Sequence, residues 1–516
     1  MPNFTVDLST YTANNTDGKV RGLDPLGVFS PAGFTWFGAT PAFSVGSGTQ
    51  YYVRADGNDG NAGTTNSAGG AFLTPQKAID TVTAGDTINL VDSVGTGTTY
   101  TVNGANVMND SGFANLQAGT SGTLAEPITF RTLSGDEGSV TIDSAGTYGN
   151  FDLNFQDYWQ FYGLRFTNAE QGHINAPDSA SHQIDITSKS VGIRIENCYF
   201  DTPTIRTPGE NTAALRLFGV EDTIVKDVKV VGSVTDVHAI QTYGSSNCLL
   251  ENSELSAHTG GLFQKSFWYD TDGSSVVDGW EVRHCDITAG IPFFMQTQTI
   301  GTPNSGLQYI HHNVLQTTRS VGGGDGLDSC IACPELREGN NQGTRLRIEH
   351  NVLYGAGAGT VSTAIHAAAM NDIEVYGNIA ANCNSFLSIE GDYNVYQAGV
   401  VGQLTESDYN VLQINSGTYF VNLDIFDTTE DNIANLAAWQ AETIAGSSTV
   451  SLQVDNPDTN SVTDALADLF DTPGTTWTNK TGSAAINLMP GGATDAGPYE
   501  TGSEVIGLTG SYSAGA

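Results

Sequence analysis

Three rings in a row, Phe267-Trp268-Tyr269, run directly into Asp270 and, two residues on, Asp272, with Lys265 just ahead of them. That grouping suits carbohydrate: a ring stacks on the CH face of a sugar, and flanking carboxylates accept hydrogen bonds from its hydroxyls. A second stretch, from Gln316 to Gly343, holds Arg319, Asp325, Asp328, Glu335 and Arg337. Asp270, Asp272, Asp325 and Asp328 are the candidate catalytic acids. A retaining glycosidase needs two carboxyls about 5–5.5 Å apart, and an inverting one about 6.5–9.5 Å. Elimination from a uronate needs instead a cation on the substrate carboxylate and a base for its α-proton. Lys265, Arg319 and Arg337 are the cations available. Phe267, Trp268, Tyr269, Lys265 and Arg319 are the candidate ligand-binding residues. Successive side chains on a strand alternate in direction, so one strand face cannot bury all three rings. The competing expectation is that the cluster packs on the protein or between subunits, and that both stretches are solvated decoration.

Metal chemistry has weaker signals. Cys330 and Cys333 form the one close cysteine pair of six, and no second pair or suitably spaced histidine accompanies them. A free or disulfide-bonded pair in a loop is expected. Asp56, Asn58 and Asp59 lack the later bidentate Glu of a calcium loop, so they read as a hydrogen-bonded turn. No cofactor is expected, calcium being the one ion left open.

The element that must carry these stretches is a short phrase repeated between about residues 155 and 415. Its clearest copy is Gly192-Ile193-Arg194-Ile195-Glu196-Asn197-Cys198-Tyr199-Phe200. Equivalent positions are Ile195, Val225, Leu250, Val282, Ile310, Ile348 and Val375, by subtraction 25 to 38 residues apart. A strand-length phrase at such a period indicates a solenoid, and its apolar/polar alternation indicates strands. With few helical stretches between copies, the strands stack turn on turn as a parallel β-helix. Asn197, Asn252, His284, His312 and His350 share one register; Cys198, Ser253, Cys285, Asn313, Asn351 and Asn378 share the next. Asn amides stacked roughly 4.8 Å apart can hydrogen-bond as a ladder. The histidine register reads either as a metal or catalytic site or as polar residues lining a bend.

Composition agrees: 61 Gly, 16 Pro and 15% charged residues fit a turn-rich β protein. The formal charge of −37 excludes nucleic acid and anionic membranes as partners, and disfavours polyanionic substrates unless a cation bridges them. No run approaches the ~18 apolar residues of a membrane span. The opening Met1-Pro2-Asn3-Phe4-Thr5-Val6-Asp7 lacks the pattern of a secretory signal.

Tyr51-Tyr52-Val53, the turn Asp56-Gly57-Asn58-Asp59-Gly60-Asn61-Ala62-Gly63-Thr64, and Pro75-Gln76-Lys77-Ala78-Ile79-Asp80-Thr81-Val82 resemble the opening of right-handed parallel β-helix proteins of the pectate-lyase-like superfamily. Asp408-Tyr409-Asn410-Val411, its copy at 392–395, and the closing Ser483–Asn487 and Asp495–Glu500 phrases resemble that superfamily as well. The resemblance covers roughly 50 to 500. It implies an all-β fold: a single right-handed β-helix over 49–416, with a helical N-terminal cap and a C-terminal capping region over 417–516. Thr74 is the expected N-cap of the Pro75 helix. Residues 433–440 read as an amphipathic helix with Ile433, Leu436 and Gln440 on one face. Residues 1–48, with Phe29, Phe34, Trp36, Phe37 and Phe43 outside any repeat, read as an arm along the coil or a docking segment.

The leading expectation for function is a virion or tailspike-like surface protein that binds host glycan, docks to virion proteins through 1–48 and forms a trimer. The alternatives are a secreted polysaccharide hydrolase or lyase, and a structural cell-surface protein. The location is then virion or extracellular.

Overall fold

The computed structural model describes residues 40, 42–102, 116–146, 149–170, 172–175, 190–201, 203, 212–232, 237–265, 278–296, 307–318, 328–334, 345–355, 362–368, 370, 372–390, 404–415, 420–425, 429–443, 452, 454–475, 477–489, 495–498 and 505–509. Within Ser44–Ala516, three long sheets of 14, 11 and 12 strands wind around one interior. The chain passes from sheet I to sheet II to sheet III and back, for example Arg194–Glu196, Tyr199–Asp201, Thr212–Phe218, then Ile224–Lys226. Among the described strands of the coil sheets neighbours are parallel, apart from the closing pair Val421–Ile425 and Thr429–Ile433, which runs antiparallel. This is the expected parallel β-helix.

Alternation sets the interior. Ile195, Val225, Leu250, Val282, Ile310, Ile348 and Val375 pair in register up sheet I, and each is fully buried in the common core. Sheet III contributes a matching column of Leu215, Ile240, Leu262, Phe293, Ile331, Ile365, Leu387 and Val421.

The polar pair of the repeat makes the corner between sheets I and II. Asn197, Asp227, Asn252, His284, His312, His350 and Tyr409 all have φ between 48° and 56°, with Gly377 at 64°. This left-handed conformation lets the chain turn within one residue, and short polar side chains tolerate it best after Gly. The following register holds the ladder. Asn313, Asn351, Asn378 and Asn410 each lend Oδ1 to the backbone N–H of the residue one turn before: Cys285 (2.9 Å), Asn313 (3.0 Å), Asn351 (3.0 Å) and Asn378 (2.9 Å).

The N-terminal helix spans Pro75–Ile79, with the Thr74 hydroxyl accepting from Lys77 N, and Ala78 and Ile79 enter the core. Asp59 accepts from Leu73 N, Thr74 N and Thr74 Oγ1, so its turn is held by hydrogen bonds. The later helix is shorter than its sequence pattern. It runs Leu436–Gln440 from an Asn435 cap, while Ile433 ends an antiparallel strand. The residue it buries is Trp439, whose indole N–H donates to Asp458.

The C-terminal segment runs back along the coil. On the outward side of sheet II, the column Arg165, Tyr199, Lys229, Glu254, Asp286 gives way to Val314, Val352, Ile379 and Val411. Leu469, Phe470, Trp477, Ala485 and Ala496 cover that apolar part. Farther back, Gly497 N donates to Gly377 O, Gly507 N to His284 O, and Thr509 N and Oγ1 to Asp227 Oδ1.

Candidate functional site

The two stretches read from sequence as loops, 256–279 and 316–343, are not loops throughout: each contains a strand of sheet III, Gly260–Lys265 and Ser329–Cys333, which lie two turns apart. Residues 266–277, 319–327 and 335–344 lie outside the described residues. Of the candidates on the two stretches, Phe267, Trp268, Tyr269, Asp270, Asp272, Arg319, Asp325, Glu335 and Arg337 lie outside the described residues. Lys265 closes its strand, with its backbone in register between Tyr243 and Gln296. Asp328 is buried just before Ser329–Cys333, and its carbonyl accepts from Thr363 N.

The outward side of sheet III supplies residues that the sequence reading missed. Arg216, Gln241, Phe263, Phe294, Ala332, His366, Ser388 and Asn422 follow one another in register, one step from the core column. Phe263 and Phe294 stack at 4.2 Å with 5° between planes, and His238 lies on Phe263 at 4.1 Å. Gly260 makes room for that imidazole, since a Cβ there would come within 2.5 Å of His238 Nδ1. Arg216 sits over the Phe218 ring at 4.8 Å, and Phe218 meets Tyr243 edge-on at 4.7 Å. Burial pushes the Tyr243 hydroxyl up to about 12, with Arg216 opposing the shift, so it stays a neutral donor.

Arg216, Gln241, His366, Ser388 and Asn422 are buried along this face together with its rings. Phe263, Phe294, Ile291 and Ala332 form their own buried apolar cluster outside the coil, so these rings pack on protein. The signal in the sequence was the alternation of Leu215-Arg216-Leu217-Phe218 and Ile240-Gln241-Thr242-Tyr243, which carries no shared phrase.

The Cys330/Cys333 pair is corrected. Both lie on one strand of sheet III, not in a loop, and both are buried and outside any disulfide. Three residues along a strand span about 10 Å, beyond the reach of a disulfide. Among the described residues no group of three His, Cys, Asp or Glu is placed to hold a metal ion.

The histidine register belongs to a buried polar network on the outward side of sheet I. Glu281 bonds Arg283 at 2.7 Å and His311 Nε2 at 3.1 Å, and Arg283 also pairs with Glu251 at 2.8 Å. Tyr309 donates to Glu349 at 2.7 Å, and Arg347 closes on Glu349 at 2.5 Å. Burial first, then the neighbouring imidazoles and Arg283, hold His311 well below the usual imidazole range. Burial raises Tyr309; burial also pushes Glu349 up, but Arg347, His350 and the Tyr309 hydrogen bond together hold it below the carboxylate range.

The chain matches no family model. A pectate lyase of Emericella nidulans, PEL9, is 32% identical over 154 residues, covering 27% of this chain and 33% of that protein. The match thus spans about a third of the relative's length. Among solved structures, pectate lyase Pel9A is 16% identical with a TM-score of 0.41, covering 88% of this chain and 97% of that one. A rhamnogalacturonan lyase is 13% identical with a TM-score of 0.38, covering 75% and 87%. Its three parallel sheets and one-residue corners make this chain a parallel β-helix, one stretch of which is similar to a pectate lyase.

Proposed function

We propose that the protein is a carbohydrate-active enzyme that acts on polysaccharide at the outward face of sheet III. The observation that carries this reading is the 32% identity over 154 residues to a pectate lyase. It favours the carbohydrate-active alternative over the virion fibre; docking through 1–48 and a trimeric assembly gain nothing from the comparisons. An extracellular location accompanies the proposal. No helix among the described residues is long and apolar enough to cross a membrane.

Elimination requires that the substrate carboxylate be neutralised, that a base take the proton beside it, and that the glycosidic oxygen leave. Arg216 is the cation proposed for binding, with Lys265 and Arg319 as further cations on the two sequence-defined stretches. Asp270, Asp272, Asp325 and Asp328 are the acids for a base or for holding a bridging cation. The charge of −37 makes such a cation a requirement for an acidic polymer. Phe267, Trp268 and Tyr269 are the proposed stacking rings.

The test is an assay of the purified chain on acidic and neutral polysaccharides, with calcium or a chelator. Unsaturated uronate ends, seen by ultraviolet absorbance, identify a lyase; new reducing ends without unsaturation identify a hydrolase. Binding without any cleavage across the panel refutes the enzymatic reading.

A further inference from the structure

Phe155 stands on backbone that a bulky residue rarely adopts. Its φ is 60°, in the left-handed region, and Asn154 and Tyr158 of the same turn lie at 45° and 53°. Asparagine tolerates that region; a large ring stays there only where the surroundings hold it. Here they do. Asn154 N donates to Asp152 Oδ1 at 2.8 Å and Gln156 N to Leu153 O at 2.8 Å, which closes the turn. Gly122 N donates to Asp157 O at 2.9 Å, Asp157 N to Ser121 Oγ at 3.0 Å and Trp159 Nε1 to Thr120 O at 2.9 Å, tying it to the preceding loop. From the turn that follows, Val191 N donates to Asp157 Oδ1 at 2.8 Å. The turn is pinned from both sides, so the strain at Phe155 cannot relax.

Other rings in this conformation have a packing reason for it. Tyr158 fills the space over Gly192, where a Cβ would fall 2.4 Å from its ring. Tyr409, at a sheet I/II corner with φ 56°, packs against Tyr376 at 5.3 Å. Phe155 is instead 38% exposed, the one aromatic among the exposed large apolar side chains of the described residues. Its position gives the ring a use. The turn leaves sheet III at Asp152, which stands in register with Asn175 and then Arg216, in the outward column of that sheet. Asp152 and Arg216 are two strand spacings apart, about 10 Å.

We propose that Phe155 is a stacking subsite for one sugar ring of a polysaccharide chain that runs along the outward face of sheet III past Arg216. The subsite rests on the proposed carbohydrate activity and extends it to a polymer that occupies several turns of the coil. The CH face of a sugar covers the exposed ring. Because the turn already fixes the backbone beneath it, little freedom is left to lose on binding. That is what the strain at this position achieves: a ring held outward, where relaxed backbone would let it fold onto the coil.

The test separates binding from packing. Phe155→Gly is compared with the wild-type chain by affinity electrophoresis in native gels containing polygalacturonate, alginate or xylan, with melting temperature measured alongside. Glycine adopts a φ of 60° without strain, so the variant should melt no lower than wild type. Its dissociation constant for the polymer that retards the wild type should rise about fivefold. If glycine lowers the melting temperature, Phe155→Leu decides, since it keeps the bulk and removes the ring; it must lose affinity as well. Unchanged affinity in these variants overturns the subsite and leaves the carbohydrate-active reading standing. A wild type that none of the polymers retards overturns the subsite together with that reading.

Discussion

Asn351→Ala tests whether the ladder at the corner holds the coil together. Asn351 is fully buried. Its Oδ1 accepts from the N–H of Asn313 at 3.0 Å and from Asn313 Nδ2 at 3.0 Å. Its Nδ2 donates to Ile310 O at 2.9 Å, Glu349 O at 2.8 Å and Asn378 Oδ1 at 3.0 Å. Alanine strands the Asn313 N–H, a buried donor costing about 1–3 kcal/mol. Asn313 Nδ2 keeps Val282 O, and Asn378 Oδ1 keeps the Asn351 N–H, so neither is orphaned. The carbonyls of Ile310 and Glu349 lose a donor, and carbonyls tolerate this better than N–H groups do. The expected loss is about 2–4 kcal/mol. Ser253 stands in the same register and donates to Glu251 O at 2.9 Å while accepting from Val228 N at 3.2 Å. Asn351→Ser should therefore recover about half of the loss. Because a solenoid need not unfold in one step, urea denaturation is paired with hydrogen exchange at the Asn313 amide. A loss below about 0.5 kcal/mol with Asn313 still protected would refute the ladder's role.

Ile348→Ala should cost about 2–5 kcal/mol in the same urea experiment, since its side chain is fully buried in the central column; a cost near that of a surface change would contradict the stacking. Gly260→Ala should lower the melting temperature through about 1–3 kcal/mol of overpacking, because the new Cβ lands 2.5 Å from His238 Nδ1; an unchanged melting temperature would show that His238 swings aside freely. Asp286 is raised to about 6 by burial and then by Glu254, so its ionisation works against the fold as pH rises from about 4 to 6. Asp286→Asn should thus stabilise by about 1–3 kcal/mol at pH 7 and by almost nothing at pH 3; denaturant midpoints at the two pH values decide, and a gain confined to pH 3 would reverse the sign.

The sequence alone determined the coil, because two of its constraints are local and recur. Every turn must send one apolar residue inward from sheet I, and must place a residue tolerant of positive φ at the corner. Ile310-His311-His312-Asn313 and Ile348-Glu349-His350-Asn351 state both requirements in four letters. Sheet III left no such phrase, because its outward residues serve no common bend and the connections to it vary in length. Arg216 and Phe263 thus became neighbours of one face only once the register was set. Cys330 and Cys333 looked like a pair because they are close along the chain, yet the strand holds them about 10 Å apart. The outward Val314, Val352, Ile379 and Val411 were visible as letters, but nothing local says that Trp477 and Ala485 cover them. The histidine corner divides the same way. Its bend was legible from residue type, whereas the contact of His311 with Glu281, and of Gly507 with His284, joins residues 30 and more than 200 positions apart. Periodicity writes contacts between successive turns into the chain; contacts made by a segment folding back have no period, and only the tertiary structure decides them.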